Sequence, residues 1–176
     1  MAVVGNRIVL PYARHEARER DMALARTIVR HHPGFHQIEC IDIRADGSSK
    51  QHAPAFEGGD LLVLSDSVVV IGVGIRTNRQ GAERIARQLI AGGVEHVLLV
   101  ELPKTRGAMH LDTVFTLIDQ DTCIGFVPAL SGGPDYPCPR VYHVTSRAEI
   151  TELKGGVLSA LDRIGVGLSV VPCGGG

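Results

Sequence analysis

The chain has 176 residues, of which 44% are hydrophobic and 21% charged, a composition typical of a globular protein that excludes a disordered or fibrous polypeptide. Because 18 Lys and Arg residues nearly balance 19 Asp and Glu residues, the net charge of −1 attracts neither nucleic acid nor anionic lipid to the protein as a whole. The apolar runs are far shorter than the ~20 residues that span a bilayer, and a secretory leader is not recognisable, so we expect a cytoplasmic protein.

The first part of the chain predicts a strand, a helix and a second strand. Residues 7–12 are mostly apolar and run into a loop, and residues 38–43 alternate polar and apolar side chains as a half-buried strand does. Between these strands, apolar residues recur every three or four positions over residues 17–32, which predicts a helix that ends at Pro33. The polar run 45–54 is predicted to be a loop.

Two similar hairpins are predicted in the middle of the chain. The first joins apolar runs at residues 60–64 and 68–73 through a polar turn. The second joins runs at residues 112–118 and 122–127 in the same way, and each hairpin begins with an aspartate.

A helix and a strand follow the first hairpin. Thr77 and Gln80 are spaced as a capping box at the start of a helix that reaches residue 91, and residues 96–102 then form an apolar strand. The rest of the chain predicts an irregular segment, a strand, a helix weakened by two glycines, and a last strand. In that order they are residues 131–140, 141–144, 147–163 and 166–171.

The order strand, strand, helix, strand repeats along the chain. Its period is near fifty residues, in the range that indicates a stacked or radial array. We expect modules at roughly 1–56, 57–108 and 109–176, of which the first is truncated. An array with only part of its circle has open sheet edges, which proteins normally avoid. The sequence therefore predicts a single, incomplete α/β domain.

Two motifs place acidic residues and a histidine at the hairpin starts. In Glu57-Gly58-Gly59-Asp60 the glycines allow the backbone to bring a carboxylate close to a ligand, although the motif also fits a turn of solvated acids. His110 and Asp112 are two apart, so on a strand both side chains point to one face, where they could transfer a proton and hold a cation or simply tie down a loop. Because equivalent strand starts converge in a radial fold, we expect Glu57, His110 and Asp112 to line one pocket.

Arg18 and Arg76 lie at or just before the starts of predicted helices. A cation is unfavourable at the positive end of a helix dipole, so an arginine there indicates another role, such as binding a carboxylate. The alternative is a solvated arginine whose aliphatic stem covers the helix start.

Several of these motifs together resemble the bacterial arginine deiminases. They are Glu57-Gly58-Gly59-Asp60, Arg76-Thr77-Asn78, the Leu-Pro-Lys-Thr-Arg run at 102–106 and, most specifically, the Met-His-Leu-Asp-Thr-Val-Phe-Thr run at 109–116. The resemblance implies a pentein-type α/β propeller, of which this chain is about half of a five-module ring. It also implies hydrolysis of L-arginine to L-citrulline and ammonia without a metal or an organic cofactor.

The resemblance assigns a role to each candidate residue. Asp112 anchors the guanidinium of the substrate, which stays protonated at any working pH. Glu57 and His110 stand beside the reacting carbon, where a thiolate attacks and the histidine assists the departure of ammonia and then activates water. Arg18 and Arg76 hold the α-carboxylate of the substrate.

Two parts of the family pattern are absent from this sequence. They are an upstream Phe-Thr-Arg-Asp segment, whose aspartate is a second guanidinium anchor, and a Cys nucleophile in a Gly-rich C-terminal segment. Cys173 precedes three glycines but matches an internal stretch of the family better, and a buried small apolar role is the commoner one for a lone cysteine. None of the four cysteines forms a Cys-x-x-Cys pair, which favours reduced thiols over disulfides or zinc.

These absences lead us to expect a fragment that is inactive on its own. The alternatives are an amidinotransferase or another guanidine-modifying enzyme of the same fold, or a non-catalytic remnant that binds arginine or a partner. The sequence leaves the oligomeric state open, with a homo-oligomer among the options.

Overall fold

Short strands form three separate sheets in the computed structural model, which describes residues 1–13, 16–44, 53–147 and 149–174. The strands and α-helices in chain order are β1 (Ala2–Val4), β2 (Arg7–Val9), α1 (Glu19–His31), β3 (Glu39–Ile41), β4 (Leu61–Val63), β5 (Val68–Val73), α2 (Arg79–Ala91), β6 (His96–Glu101), β7 (Phe115–Leu117), β8 (Thr122–Gly125), α3 (Val127–Ser131), β9 (Val141–Val144), β10 (Ile150–Leu153), α4 (Gly156–Arg163) and β11 (Ser169–Pro172). The fold class is mixed α/β. Most of the predicted loop 45–54 lies outside the described residues.

The three sheets share one arrangement. In each, two antiparallel strands form a hairpin, and a third strand returns parallel to the second after a helix. The sheet orders are β1-β2-β3, then β10-β9-β6-β5-β4, then β11-β8-β7. The hairpin of β9 and β10 extends the middle sheet, so the strand that completes the third unit is β11 rather than the next strand along the chain.

Two sequence-based expectations about these elements are wrong. The first unit is not truncated, because β1 pairs with β2; β1 has only three residues, too few to give a recognisable periodicity. Residues 147–163 do not form one helix, because β10 occupies 150–153 and pairs with β9. Gly155 and Gly156 adopt φ of 99° and 78°, a left-handed conformation that separates β10 from α4.

The middle sheet is buried on both faces. Alternate residues of β5 and β6 pack into two different apolar clusters, one that includes α2 and one that includes α4. Val69, Ile71 and Leu99 belong to the first cluster, and Val70 and Leu98 belong to the second. This is why β5 and β6 read as continuous apolar runs instead of alternating ones.

Two histidines face each other across β6 and β9. His96 Nδ1 lies 2.9 Å from His143 Nε2, and both side chains are partly buried. Burial, together with the nearby His96, lowers the pKa of the His143 imidazole from its ordinary value of 6.5. Just below that pH the unfolded chain binds more protons than the folded one, so the free energy of unfolding falls as the pH drops. We therefore expect the urea midpoint of the chain to decrease from pH ~6.5 towards pH ~5.

The matched variants are His143→Gln, which cannot titrate, and His36→Gln, which changes an exposed histidine. We expect His143→Gln to flatten the decrease over this pH range and His36→Gln to leave it as it is. Equal pH profiles for His143→Gln and the unchanged chain would rule out the His96–His143 contact as the source of the decrease in the urea midpoint.

Candidate active site

The second and third units begin with the same local structure. A 3-10 turn precedes β4 at Gly58–Asp60, and another precedes β7 at Leu111–Thr113. Glu57 and His110 are the residues immediately before these two turns, and both have an extended backbone. The two turns contact each other, so successive units bring Glu57 and His110 side by side.

His110 and Asp112 therefore do not lie on a strand, contrary to the sequence-based expectation. Asp112 is inside the 3-10 turn, and β7 begins three residues later at Phe115. Backbone hydrogen bonds from Thr113 to His110 and from Val114 to Leu111 close the turn. The Leu111 N–H donates to the buried Asp60 carboxylate, with 3.0 Å between Leu111 N and Asp60 Oδ1. Asp112 reaches the same pocket as His110 through this turn and not through strand alternation.

One pocket of about 420 Å³ brings together four of the five residues predicted for the site. Glu57, His110, Asp112 and Arg18 line it, together with side chains of α1 and the backbone of Gly58 and Gly59. The fifth residue, Arg76, does not line the pocket but contacts it from behind. Its Nη1 lies 3.2 Å from Glu57 Oε1, and its Nη2 lies 3.3 Å from the sulfur of Met109.

Glu57 is held between a cation and the histidine. Its Oε1 pairs with Arg76, and its Oε2 lies 3.6 Å from His110 Nε2. The side chains of Glu57, His110 and Arg76 are 9%, 17% and 22% exposed, so these charges interact in a partly desolvated environment. Electrostatic interactions are stronger there than at a fully hydrated surface. The site can therefore bind a cation and also move a proton.

Sequence reasoning did not assign a site role to Asp60, although it noted this aspartate as a strand start. Asp60 is fully buried and lies directly behind His110, with Oδ2 3.2 Å from His110 Nδ1. Burial raises the pKa of the Asp60 carboxyl, and hydrogen bonds from Thr77, His110 and the Leu111 N–H act against that rise. The signal available in the sequence was its place as the fourth residue of the Glu-Gly-Gly-Asp motif.

Thr77 does not form the predicted capping box. The helix cap of α2 is Asn78, whose side chain accepts a hydrogen bond from the Gly81 N–H. The Thr77 hydroxyl instead donates to Asp60, with 2.6 Å between Oγ1 and Oδ2. The Thr77 oxygen accepts from the Glu57 N–H at 3.1 Å, in place of the helix N–H that a capping box requires.

Arg18 has a local partner that the helix-dipole argument did not foresee. It lies in a 3-10 turn just before α1, its side chain is 55% exposed, and its Nε lies 3.0 Å from Asp21 Oδ2. An acid in the first turn offsets the unfavourable position of the arginine. The position of Arg18 beside the pocket thus fits both interpretations of this residue, as a ligand for a carboxylate and as a solvated arginine at the helix start.

The two glycines of the Glu-Gly-Gly-Asp motif permit close approaches at the pocket wall. A Cβ atom on Gly59 would lie 2.7 Å from Asp112 Oδ2, and one on Gly58 would lie 2.5 Å from the backbone oxygen of Met1. The carboxylate that approaches the motif closely is therefore that of Asp112, which packs against Gly59. Any larger residue at position 59 would push Asp112 away from Glu57 and His110.

No cysteine lines this pocket among the described residues. Cys123 is buried in β8, where desolvation raises the pKa of its thiol. Cys173 follows β11 and is exposed, so the expectation that it is a buried apolar residue is wrong. Its backbone N–H donates to the Gly125 carbonyl, which keeps this part of the chain with the third sheet.

No described helix is long and apolar enough to cross a membrane.

A family model described as "Arginine deiminase" matches residues 1–134 of the chain. The arginine deiminase of Latilactobacillus sakei subsp. sakei is 33% identical over 182 residues, which cover 99% of this chain and 43% of that protein. The chain thus spans less than half the length of this relative.

Solved structures of guanidine-modifying enzymes have a similar fold. A mutant of AgrE in a binary complex with L-arginine matches with a TM-score of 0.58 and 21% identity, over 74% of this chain and 17% of that one. The substrate-bound N-terminal domain of ArgZ, an arginine dihydrolase from cyanobacteria, matches with a TM-score of 0.57 and 22% identity, over 73% of this chain and 42% of that one. At these identities the similarity establishes the fold alone.

Proposed function

Because this chain belongs to the arginine deiminase family, we propose that its pocket is the guanidine-binding part of an enzyme that hydrolyses L-arginine to L-citrulline and ammonia. The observation that carries the proposal is the convergence of Glu57, His110 and Asp112 on one pocket. Two carboxylates and a histidine are the groups that a guanidinium hydrolase needs for binding and for proton transfer. They come from two different units, so they meet only when the units pack together.

The pocket has complementary groups for both ends of L-arginine. The guanidinium is planar and always charged, so the site must supply carboxylates. The pocket offers two, the buried Glu57 and the exposed Asp112. The cations proposed for the α-carboxylate are Arg18, which lines the pocket, and Arg76, which lies behind it and pairs with Glu57. The Arg76 guanidinium pairs with one oxygen of Glu57, so a bound substrate guanidinium would compete for that oxygen.

The proposed chemistry is a covalent thiol mechanism in two halves. A thiolate adds to the guanidinium carbon, and His110 donates a proton to the amino group that leaves as ammonia. His110 then takes one proton from water as the water oxygen bonds to the same carbon. When the carbon–sulfur bond breaks and the thiolate is regenerated, the remaining hydroxyl proton passes to solvent, where it protonates the released ammonia. The water oxygen becomes the ureido oxygen of citrulline. This chain supplies the binding and proton-transfer groups, and the thiolate comes from outside it.

The three sheets support a larger architecture in which this chain is one part. Each sheet repeats the same order of strands and helix, as successive blades of a pentein-type α/β propeller do. We propose that the chain forms a single incomplete domain, about half of a five-module ring. Further modules would close the open side of the pocket.

Titration of the chain with L-arginine tests the binding part of the proposal. We expect L-arginine to shift the NMR signals of Gly59 and His110, and citrulline, which lacks the charged guanidinium, to shift them far less. Loss of a charged hydrogen bond costs about 1.5–3 kcal/mol, so Asp112→Asn should weaken binding roughly ten- to hundredfold. Asp119→Asn is the matched control, because Asp119 is an exposed acid in the hairpin turn of the same unit. Equal binding by both variants would contradict the assignment of Asp112.

A citrulline assay separates this proposal from its alternatives. It compares the chain with a version extended at both ends by its own coding sequence. Citrulline from the extended version alone supports the deiminase. Transfer of the amidino group to an added amine, with ornithine as the other product, supports an amidinotransferase. Arginine binding without either product in both versions supports a non-catalytic binding protein.

A further inference from the structure

A short hydrogen-bond network lies behind His110, and its two ends are backbone N–H groups. The Glu57 N–H donates to the Thr77 hydroxyl at 3.1 Å, and that hydroxyl donates to Asp60 Oδ2 at 2.6 Å. On the other side, the Leu111 N–H donates to Asp60 Oδ1 at 3.0 Å. Asp60 and Thr77 are both fully buried. No described buried side-chain polar atom here lacks a partner.

The direction of each hydrogen bond in this network is fixed. A backbone N–H can only donate, so Thr77 accepts from Glu57, and its own hydroxyl proton goes to Asp60 Oδ2. Leu111 likewise obliges Asp60 Oδ1 to accept. Both oxygens of Asp60 therefore already accept a proton from a neighbour, which is the arrangement of an ionised carboxylate.

The fixed directions determine which nitrogen of His110 carries its proton. Nδ1 faces Asp60 Oδ2 at 3.2 Å, and a carboxylate with no proton of its own can only accept from it. Nε2 points the other way, towards Glu57 Oε2 at 3.6 Å and the pocket. The proton on a neutral ring is thus held on the buried side, and the lone pair is on the side of the pocket.

We infer that Asp60, itself held in place by Thr77, is a positioning residue that holds neutral His110 as the Nδ1–H tautomer and makes Nε2 the atom that exchanges protons in the pocket. The inference deepens the proposed function and rests on it for its catalytic meaning. In the deiminase reaction Nε2 would deliver the proton to the departing ammonia and then take one from water. A ring with its proton on Nε2 could not accept a proton from water on that side.

Asp60→Asn tests the inference because the Leu111 N–H also fixes the orientation of the new amide. The amide oxygen must take the place of Oδ1 to accept from Leu111, which places the amide NH2 where Oδ2 was. That NH2 faces His110 Nδ1 as a donor, so the ring must move its proton to Nε2. We expect the 15N chemical shifts of the two ring nitrogens, measured on the substrate-free chain with a neutral ring, to exchange places.

Two further variants separate a tautomer effect from general destabilisation. Thr77→Val removes the hydroxyl but keeps Asp60 a carboxylate, so the chain should be less stable while His110 keeps its proton on Nδ1. Thr77→Ser keeps the hydroxyl and should retain both the tautomer and most of the stability. His110→Gln assigns the signals, and backbone spectra identify variants that remain folded. If Asp60→Asn does not fold, the test is the His110 tautomer measured in the unchanged chain and in Thr77→Val, where we expect the proton on Nδ1 in both.

An Nε2–H ring in the unchanged chain would overturn the inference. So would an Nδ1–H ring in folded Asp60→Asn, because the proton would then not depend on the carboxylate. The tautomer is measured on the substrate-free chain, so its result is independent of the arginine titration. A chain with the Nδ1–H tautomer that binds no L-arginine contradicts the proposed function alone. A chain that binds L-arginine with an Nε2–H ring contradicts the positioning role alone.

Discussion

The purified 176-residue chain should convert no measurable L-arginine to L-citrulline. A covalent mechanism needs a thiolate about 3–3.5 Å from the guanidinium carbon, and such proximity lowers the barrier by roughly 7–11 kcal/mol. No cysteine lines the pocket in the described part of the chain. His110 and Glu57 could still direct water at the carbon, but general acid–base help of roughly 10²–10⁴-fold does not replace the missing nucleophile.

The measurement is colorimetric detection of citrulline after prolonged incubation, with a family member of full length as the positive control. Robust turnover that disappears in Cys173→Ala would make Cys173 the nucleophile and contradict the prediction. Turnover that persists in Cys173→Ala would direct the search to Cys40, Cys123 or Cys138. If Cys173 is the nucleophile, the pocket must be reassigned, because Cys173 lies with the third sheet beside Gly125.

Gly81→Ala should destabilise the fold by about 3 kcal/mol, near the upper end of the ~1–3 kcal/mol typical of overpacking. In an exposed helix the same change would stabilise by up to ~1 kcal/mol. In α2, however, a Cβ atom on Gly81 would lie 2.8 Å from the carbonyl carbon of Ala55, and a backbone group cannot move aside as a flexible side chain does. The helix start and the segment that precedes Glu57 would have to separate.

That separation would also disturb the candidate site. Asn78 links the two segments, because its side-chain oxygen accepts from both the Ala55 N–H and the Gly81 N–H, at 3.0 and 2.8 Å. Its side-chain NH2 donates to the Ala53 carbonyl at 2.8 Å. Glu57 follows this segment directly. We therefore expect Gly81→Ala to shift the NMR signals of Glu57 and His110 as well as to lower the melting temperature.

The control for this prediction is Gly107→Ala, since an added Cβ atom there would meet open space. For a chain of this length, each 1 kcal/mol changes the melting temperature by about 2–4 °C. Gly81→Ala should therefore lower it by roughly 6–12 °C, and Gly107→Ala should change it little. A Gly81→Ala variant as stable as Gly107→Ala would mean that α2 and the Ala55 segment are not packed as the structure has them.

The sequence by itself determined the features that depend on neighbouring residues. The apolar runs of β5 and β6 were recognisable because a doubly buried strand has no polar face, and the hairpin of β4 and β5 because a polar turn separates two such runs. The Glu-Gly-Gly-Asp and Met-His-Leu-Asp motifs identified Glu57, His110 and Asp112 as candidates, and the second of these motifs was the more specific to a family. Membership of that family followed from the same motifs.

Only the tertiary structure decided which of these residues touch and what stands behind them. Asp60 and His110 are 50 positions apart, and Thr77 and Asp60 are 17 apart, so no local pattern signals either contact. Thr77 looked like a helix cap because capping is a local interaction, but its hydroxyl instead accepts from the Glu57 N–H and donates to Asp60. Likewise β9 joined the middle sheet and β11 completed the third, because strand pairing is chosen by the packing of whole units and not by the order of the strands along the chain.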